Sequence, residues 1–172
     1  MKRLITRENA KQVGILYHYT SVYKAVQILK SNTLKCNLHG RGYVSFTRDQ
    51  NFEHVPRQIG ANIECRLVIN GNKLSENTKI KPYHDVNWFK EEELNEEYME
   101  AEERVKSPIN PILPYIISLD IYRNKFVKFN THEVIQKIFI NLEHNLVDLE
   151  NCTLEALAIT LDTDFGIPIN IM

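Results

Sequence analysis

The tightest constraint on this chain lies at residues 15–31, where a run of β-formers, Ile15-Leu16-Tyr17-His18-Tyr19-Thr20, passes through one serine into a helical pattern. Val22, Ala25, Val26, Ile28 and Leu29 recur at helical spacing, and Ser21 stands where an N-cap is needed. A strand and an amphipathic helix each present one apolar side that requires a partner layer, so the opening calls for a mixed, layered fold. Asn32, or the Thr33-Leu34 step, ends the helix. After the turn at 39–42 (HGRG), YVSFT alternates aromatic or β-branched residues with polar ones and reads as a second strand. Residues 50–61 carry Pro and Gly without periodicity, and IECRLVI at 63–69 reads as a third strand ending in an Asn70-Gly71 turn.

The second half changes character. Residues 90–106 hold eight Glu against three Lys or Arg, a local charge of 3 − 8 = −5, which leaves −1 + 5 = +4 for the rest of the chain. Such a block reads as partly helical with a solvated face. Beyond Pro108, Pro111 and Pro114, YIISLDIY reads as a strand and FVKF at 126–129 as another. Val134, Ile135, Ile138, Phe139 and Leu142 then mark a helix, with Asn130 and Glu133 as a capping pair. Residues 150–172 read as a short helix followed by an extended tail. No internal repeat or linker divides the chain, so the expectation is one α+β domain over residues 1–172.

Composition narrows the function classes. With 21 Lys and Arg against 22 Asp and Glu, the chain is no basic nucleic-acid coat. No stretch approaches the ~20 apolar residues of a membrane span. The opening MKRLITRENAKQVG lacks the apolar core and cleavage site of a secretory signal, which points to the cytoplasm. Cys36, Cys65 and Cys152 are odd in number and far apart, fitting reduced thiols rather than a disulfide framework or a metal site. The six histidines show no ligand spacing, so no metal is expected. Neither a phosphate loop nor a dinucleotide fingerprint occurs, and neither Ser21 nor Ser45 sits on a nucleophile elbow.

What remains is an ordered set. Leu16-Tyr17-His18-Tyr19-Thr20-Ser21 opens a helix, Tyr43-Val44-Ser45-Phe46-Thr47-Arg48 forms the second strand, and Glu100-Ala101-Glu102-Glu103-Arg104 closes the acidic run. This order resembles the ADP-ribosyltransferase superfamily over about residues 15–107. It is similar to small phage-encoded proteins and to the DNA-modifying ADP-ribosyltransferase toxins. In that superfamily a first-strand polar residue, often His, meets the nicotinamide-side ribose of NAD, a second strand carries a hydroxyl segment, and a Glu-x-Glu pair ends the set. The second strand here has Ser-Phe-Thr where the arginine-specific class has Ser-Thr-Ser. The resemblance implies two packed, mostly antiparallel small sheets with flanking helices around an NAD cleft.

It also implies roles. Breaking the nicotinamide–ribose bond creates an oxocarbenium-like centre, which a carboxylate beside the ribose stabilises; Glu102 is the first choice. Glu100 shares its face only if this piece is extended, and then polarises the accepting group. The competing reading places these glutamates on a solvated acidic helix. Arg48 is the cation for the pyrophosphate, with Arg41 in reserve. His18, Tyr19, Thr20, Tyr23, Ser45 and Thr47 line the cofactor side: His18 on a ribose hydroxyl, Tyr19 or Tyr23 against the nicotinamide, Ser45 on the catalytic Glu. The expected activity is ADP-ribose transfer from NAD, a co-substrate, to a host nucleic acid or host protein in a bacterial cytoplasm, without metal or membrane. An inactive nucleotide- or host-protein-binding module on the same fold is the alternative, and a regulatory phage protein with accidental matches a third.

Overall fold

The computed structural model describes residues 14–36, 42–48, 50, 63–82, 102–129, 132–142 and 153–172. Chain order is β1 (Ile15–Thr20), α1 (Val22–Ser31), β2 (Val44–Thr47), β3 (Cys65–Asn70), α2 (Gly71–Asn77), β4 (Ile80–Pro82), β5 (Glu102–Val105), β6 (Ile116–Ile121), α3 (Arg123–Phe129), α4 (His132–Asn141), α5 (Leu154–Phe165) and β7 (Ile169–Ile171). The fold is α+β. Its described strands form one seven-stranded sheet in the order β4-β5-β2-β1-β3-β6-β7, antiparallel throughout except for the β6–β7 pair.

Two separate sheets were expected; the described strands instead join in one. The junction is narrow. β1 pairs with β3 along its whole length, from Ile15 opposite Asn70 to Thr20 opposite Cys65, and β2 pairs with β5 from Val44 opposite Val105 to Thr47 opposite Glu102. Among the described residues, the register between β1 and β2 is Tyr17 opposite Thr47.

Local chemistry explains the helix ends. Ser21 accepts from the Lys24 amide, capping α1, and the buried carboxylate of Glu64 accepts from the Val22 amide at 3.0 Å. Val22, Ala25, Val26 and Leu29 are the buried stripe of α1. At the far end Asn32 adopts the left-handed conformation at φ 48°, returns its N–H to Ile28 and Leu29, and accepts the amides of Ile112 and Leu113 on its side-chain oxygen at 2.9 and 2.8 Å. This ties the proline-rich segment before β6 to the helix end. Leu16, Leu67, Leu119, Ile121, Phe46 and Val105 of the sheet share one apolar core with α1, and Leu157 and Leu161 of α5 extend it.

Two local expectations are revised. Asn70-Gly71 begins a helix rather than a hairpin turn, because the Asn70 side chain caps the Lys73 amide and Leu74 fills the core. FVKF belongs to α3, not to a strand: the Tyr122 carbonyl accepts from the amides of Lys125 and Phe126, which starts the helix directly after β6. The end of the acidic run is extended in β5, while its earlier part lies outside the described residues, as do the Asn130 cap, Arg41 and Cys152. The expected helix near 134–142 is α4, and the C-terminal helix and tail are α5 and β7. Among the described residues, no helix is long and apolar enough to cross a membrane.

Candidate functional site

The site is built where β1 and β2 part. Beyond Tyr17 and Thr47 the ladder opens toward Tyr19 and Ser45, and there the His18 ring enters, its Nδ1 3.0 Å from the Ser45 carbonyl oxygen. A carbonyl only accepts, so Nδ1 carries the proton and donates. The half-buried His18 is held below the usual histidine range, chiefly by burial, opposed by the bond to Ser45 and reinforced by the positive charge of Lys24. A neutral ring protonated at Nδ1 leaves Nε2 as its acceptor and base nitrogen. The ring stands edge-on to Phe46, centroids 6.0 Å apart.

Strand alternation sorts the neighbours by face. Partners directly opposite in an antiparallel ladder project to the same side. Val44 and Phe46 of β2 and Glu103 and Val105 of β5 are buried on the core side, whereas Ser45 is exposed and Thr47 half-buried on the other. Residue 102 begins β5 with its backbone extended and in register with Thr47. Glu100 lies outside the described residues.

Arg48, one residue past β2, sets its Nη2 at 2.6 Å from Glu103 Oε1; the carboxylate side chain is 1 % exposed and the guanidinium side chain 20 %. Ser45 lies opposite Arg104, whose guanidinium stands 5.7 Å from the centre of the Tyr43 ring. Tyr19 is buried, and its hydroxyl is hydrogen-bonded to Arg66. Thr20 is buried at the end of β1, its carbonyl accepting from the Glu64 amide and the Cys65 thiol. Tyr23 projects from the first turn of α1, largely exposed. The structure thus brings His18, Ser45, Thr47 and residue 102 onto three adjacent strands. It directs Arg48 to Glu103 and Tyr19 to Arg66.

A polar cluster that sequence reasoning missed lies on the Tyr17 side of the sheet. Arg66 donates from Nε to Asp120 at 2.8 Å and from Nη1 to the Gln50 carbonyl at 2.6 Å, with the Tyr17 and Tyr122 rings stacked 4.8 and 5.9 Å from its guanidinium carbon. The other Asp120 oxygen accepts from Ser118 and Asn170, so the network stitches β3, β6 and β7. Burial acts against the Arg66 charge, but the bonds to Asp120 and Tyr19 outweigh it and hold its pKa above the usual arginine range. Burial also pushes the Tyr122 hydroxyl up. The available signal was a single charge inside each of two apolar strands, since a buried charge requires an opposite partner.

Among the described residues, no group of three His, Cys, Asp or Glu side chains is placed to hold a metal ion. Comparison with protein-family models and with curated proteins gives no match.

Proposed function

We propose that this chain is an ADP-ribosyltransferase of phage type, moving ADP-ribose from NAD to a nucleobase or protein side chain of a bacterial host, in the host cytoplasm. The observation that supports the reading is the meeting of three segments far apart in sequence: His18 on β1 bonded to Ser45 on β2, and Glu102 on β5 in register with Thr47. NAD suits these residues chemically. A neutral His18 with Nδ1 engaged on the Ser45 carbonyl accepts a hydrogen bond from a ribose hydroxyl on Nε2, while the Ser45 hydroxyl is exposed on the opposite face of β2. Tyr23 is the accessible aromatic for the nicotinamide. Thr47, Tyr19 and Thr20 shape the strands around them.

In the reaction the bond between ribose C1′ and the nicotinamide nitrogen breaks, and its electron pair returns to the pyridinium ring. Glu102 stabilises the positive charge that develops on the ribose, while Glu100 polarises the acceptor and takes its proton as the new bond to C1′ forms. Arg48 is left out of the pyrophosphate contact in this proposal, because its guanidinium holds a buried carboxylate.

The test is nicotinamide release from NAD by the purified protein and by Glu102→Ala, with and without a bacterial lysate as acceptor source. Loss of an electrostatic stabiliser of this kind lowers kcat by about 10²–10³-fold. Lysate-dependent release that Glu102→Ala abolishes supports transfer. No release, with NAD raising the melting temperature, replaces the enzyme by a nucleotide-binding module; no effect of NAD refutes both.

A further inference from the structure

The buried pair between Arg48 and Glu103 has no role in the chemistry proposed above, yet it occupies a telling place. Thr47 and Glu102 form the last registered pair of the β2–β5 ladder, and Arg48 and Glu103 are their immediate neighbours in the chain. Glu103 lies opposite Phe46, and Arg48 stands two residues beyond Phe46, just past the end of β2, so the ion pair crosses the end of the ladder diagonally on its core side. A ladder is weakest at its end, where a slip of one residue turns every side chain to the other face. With Glu103 buried, a slip would leave its carboxylate on the solvent face and strand Arg48 without it.

Buried ion pairs contribute little net stability against well-packed apolar residues of the same size, and their best-attested use is to specify register. We infer that the Arg48–Glu103 pair is a positioning device that sets the register of β5 on β2 and thereby places Glu102; the catalytic half of this inference rests on the proposed transferase reading. Arg48 and Glu103 are positioning residues. They act through the strand they lock, not on NAD.

The experiment compares the wild-type protein with Glu103→Gln, which keeps size and removes charge, and with the apolar pair Arg48→Met/Glu103→Leu. Amide hydrogen exchange of the peptides spanning residues 44–48 and 102–105 reads how firmly this ladder is held, and steady-state nicotinamide release reads its consequence. The apolar pair is expected to melt within a few degrees of wild type, to exchange both peptides faster, and to lose about 10- to 100-fold in kcat with the KM for NAD unchanged. If the apolar pair does not fold, Glu103→Gln carries the same expectations for exchange and kcat, at a lower melting temperature because it leaves Arg48 without its counter-ion. Wild-type exchange rates in folded variants overturn the inference, as does wild-type kcat once exchange is accelerated. Faster exchange in the variants, with no nicotinamide release from the wild-type protein, refutes the transferase reading and upholds the register device.

Discussion

Asn32 offers a stringent test of how this fold is held, because three jobs fall on one side chain and its backbone. It ends α1 in the left-handed conformation, and its side-chain oxygen holds the amides of Ile112 and Leu113. The Ile112 amide also has the Asn32 carbonyl at 3.1 Å, so removing the side chain takes from Leu113 the one acceptor it has in this bridge and leaves Ile112 with a second. Asn32→Gly keeps the backbone conformation and loses the bridge; a stranded, partly buried donor makes that about 1–2 kcal/mol. Asn32→Ala loses the same bridge without glycine's freedom in the left-handed region or asparagine's tolerance of it, and thus reaches about 2–3 kcal/mol. In a chain of this length about 3 kcal/mol lowers Tm by about 6–12 °C. Asn32→Asp keeps the acceptor and places a negative charge at a helix C-terminus, for a loss of about 0.5 kcal/mol. Urea unfolding followed by circular dichroism should therefore rank the proteins wild type, Asp, Gly, Ala. A glycine variant as stable as wild type would show that the bridge contributes nothing, and an aspartate variant as weak as alanine would show that the acceptor is not what matters.

Other expectations concern charge. Asp120→Asn leaves Arg66 buried without its counter-ion and should destabilise by about 3 kcal/mol in the same assay; a loss under about 1 kcal/mol would mean that the network of Arg66, Ser118 and Asn170 is not cooperative. His18 binds its proton more weakly folded than unfolded, so its contribution to stability is present above pH 6.5 and is lost as pH falls below that value toward the folded pKa. The His18 nitrogen resonances should report the Nδ1-protonated tautomer at neutral pH and a midpoint below 6.5, and a midpoint above 6.5 contradicts the site as described. His18→Asn should flatten the pH dependence of stability over the same window.

What could be read from the sequence was what local physics decides. Ser21, the stripe from Val22 to Leu29, and Asn32 define α1 without help from distant residues, and the same is true of the apolar runs of β3 and β6. FVKF reads as a strand in sequence although four residues satisfy either period; burial of Phe126 against the core and the Tyr122 carbonyl decide for a helix. Asn-Gly has the chemistry of a hairpin turn, and only the cap on Lys73 with the burial of Leu74 favours α2. β4, three residues ending in Pro82, exists through its pairing with β5. At the site, residue types were legible and partners were not. His18 and Ser45 are 27 residues apart, and nothing between them encodes their register. Arg48 has the chemistry of a phosphate ligand, and a sequence does not display the buried carboxylate that claims it.

The narrow seam between β1 and β2 has a mechanical consequence. A sheet draws its stiffness from cross-strand hydrogen bonds, and among the described residues two well-bonded plates, β4-β5-β2 and β1-β3-β6-β7, meet in register at Tyr17 and Thr47, with the His18–Ser45 bond and the bonds from Tyr17 and Arg66 to Gln50 as further ties. Load applied to either plate is relieved by bending along that line before either ladder shears.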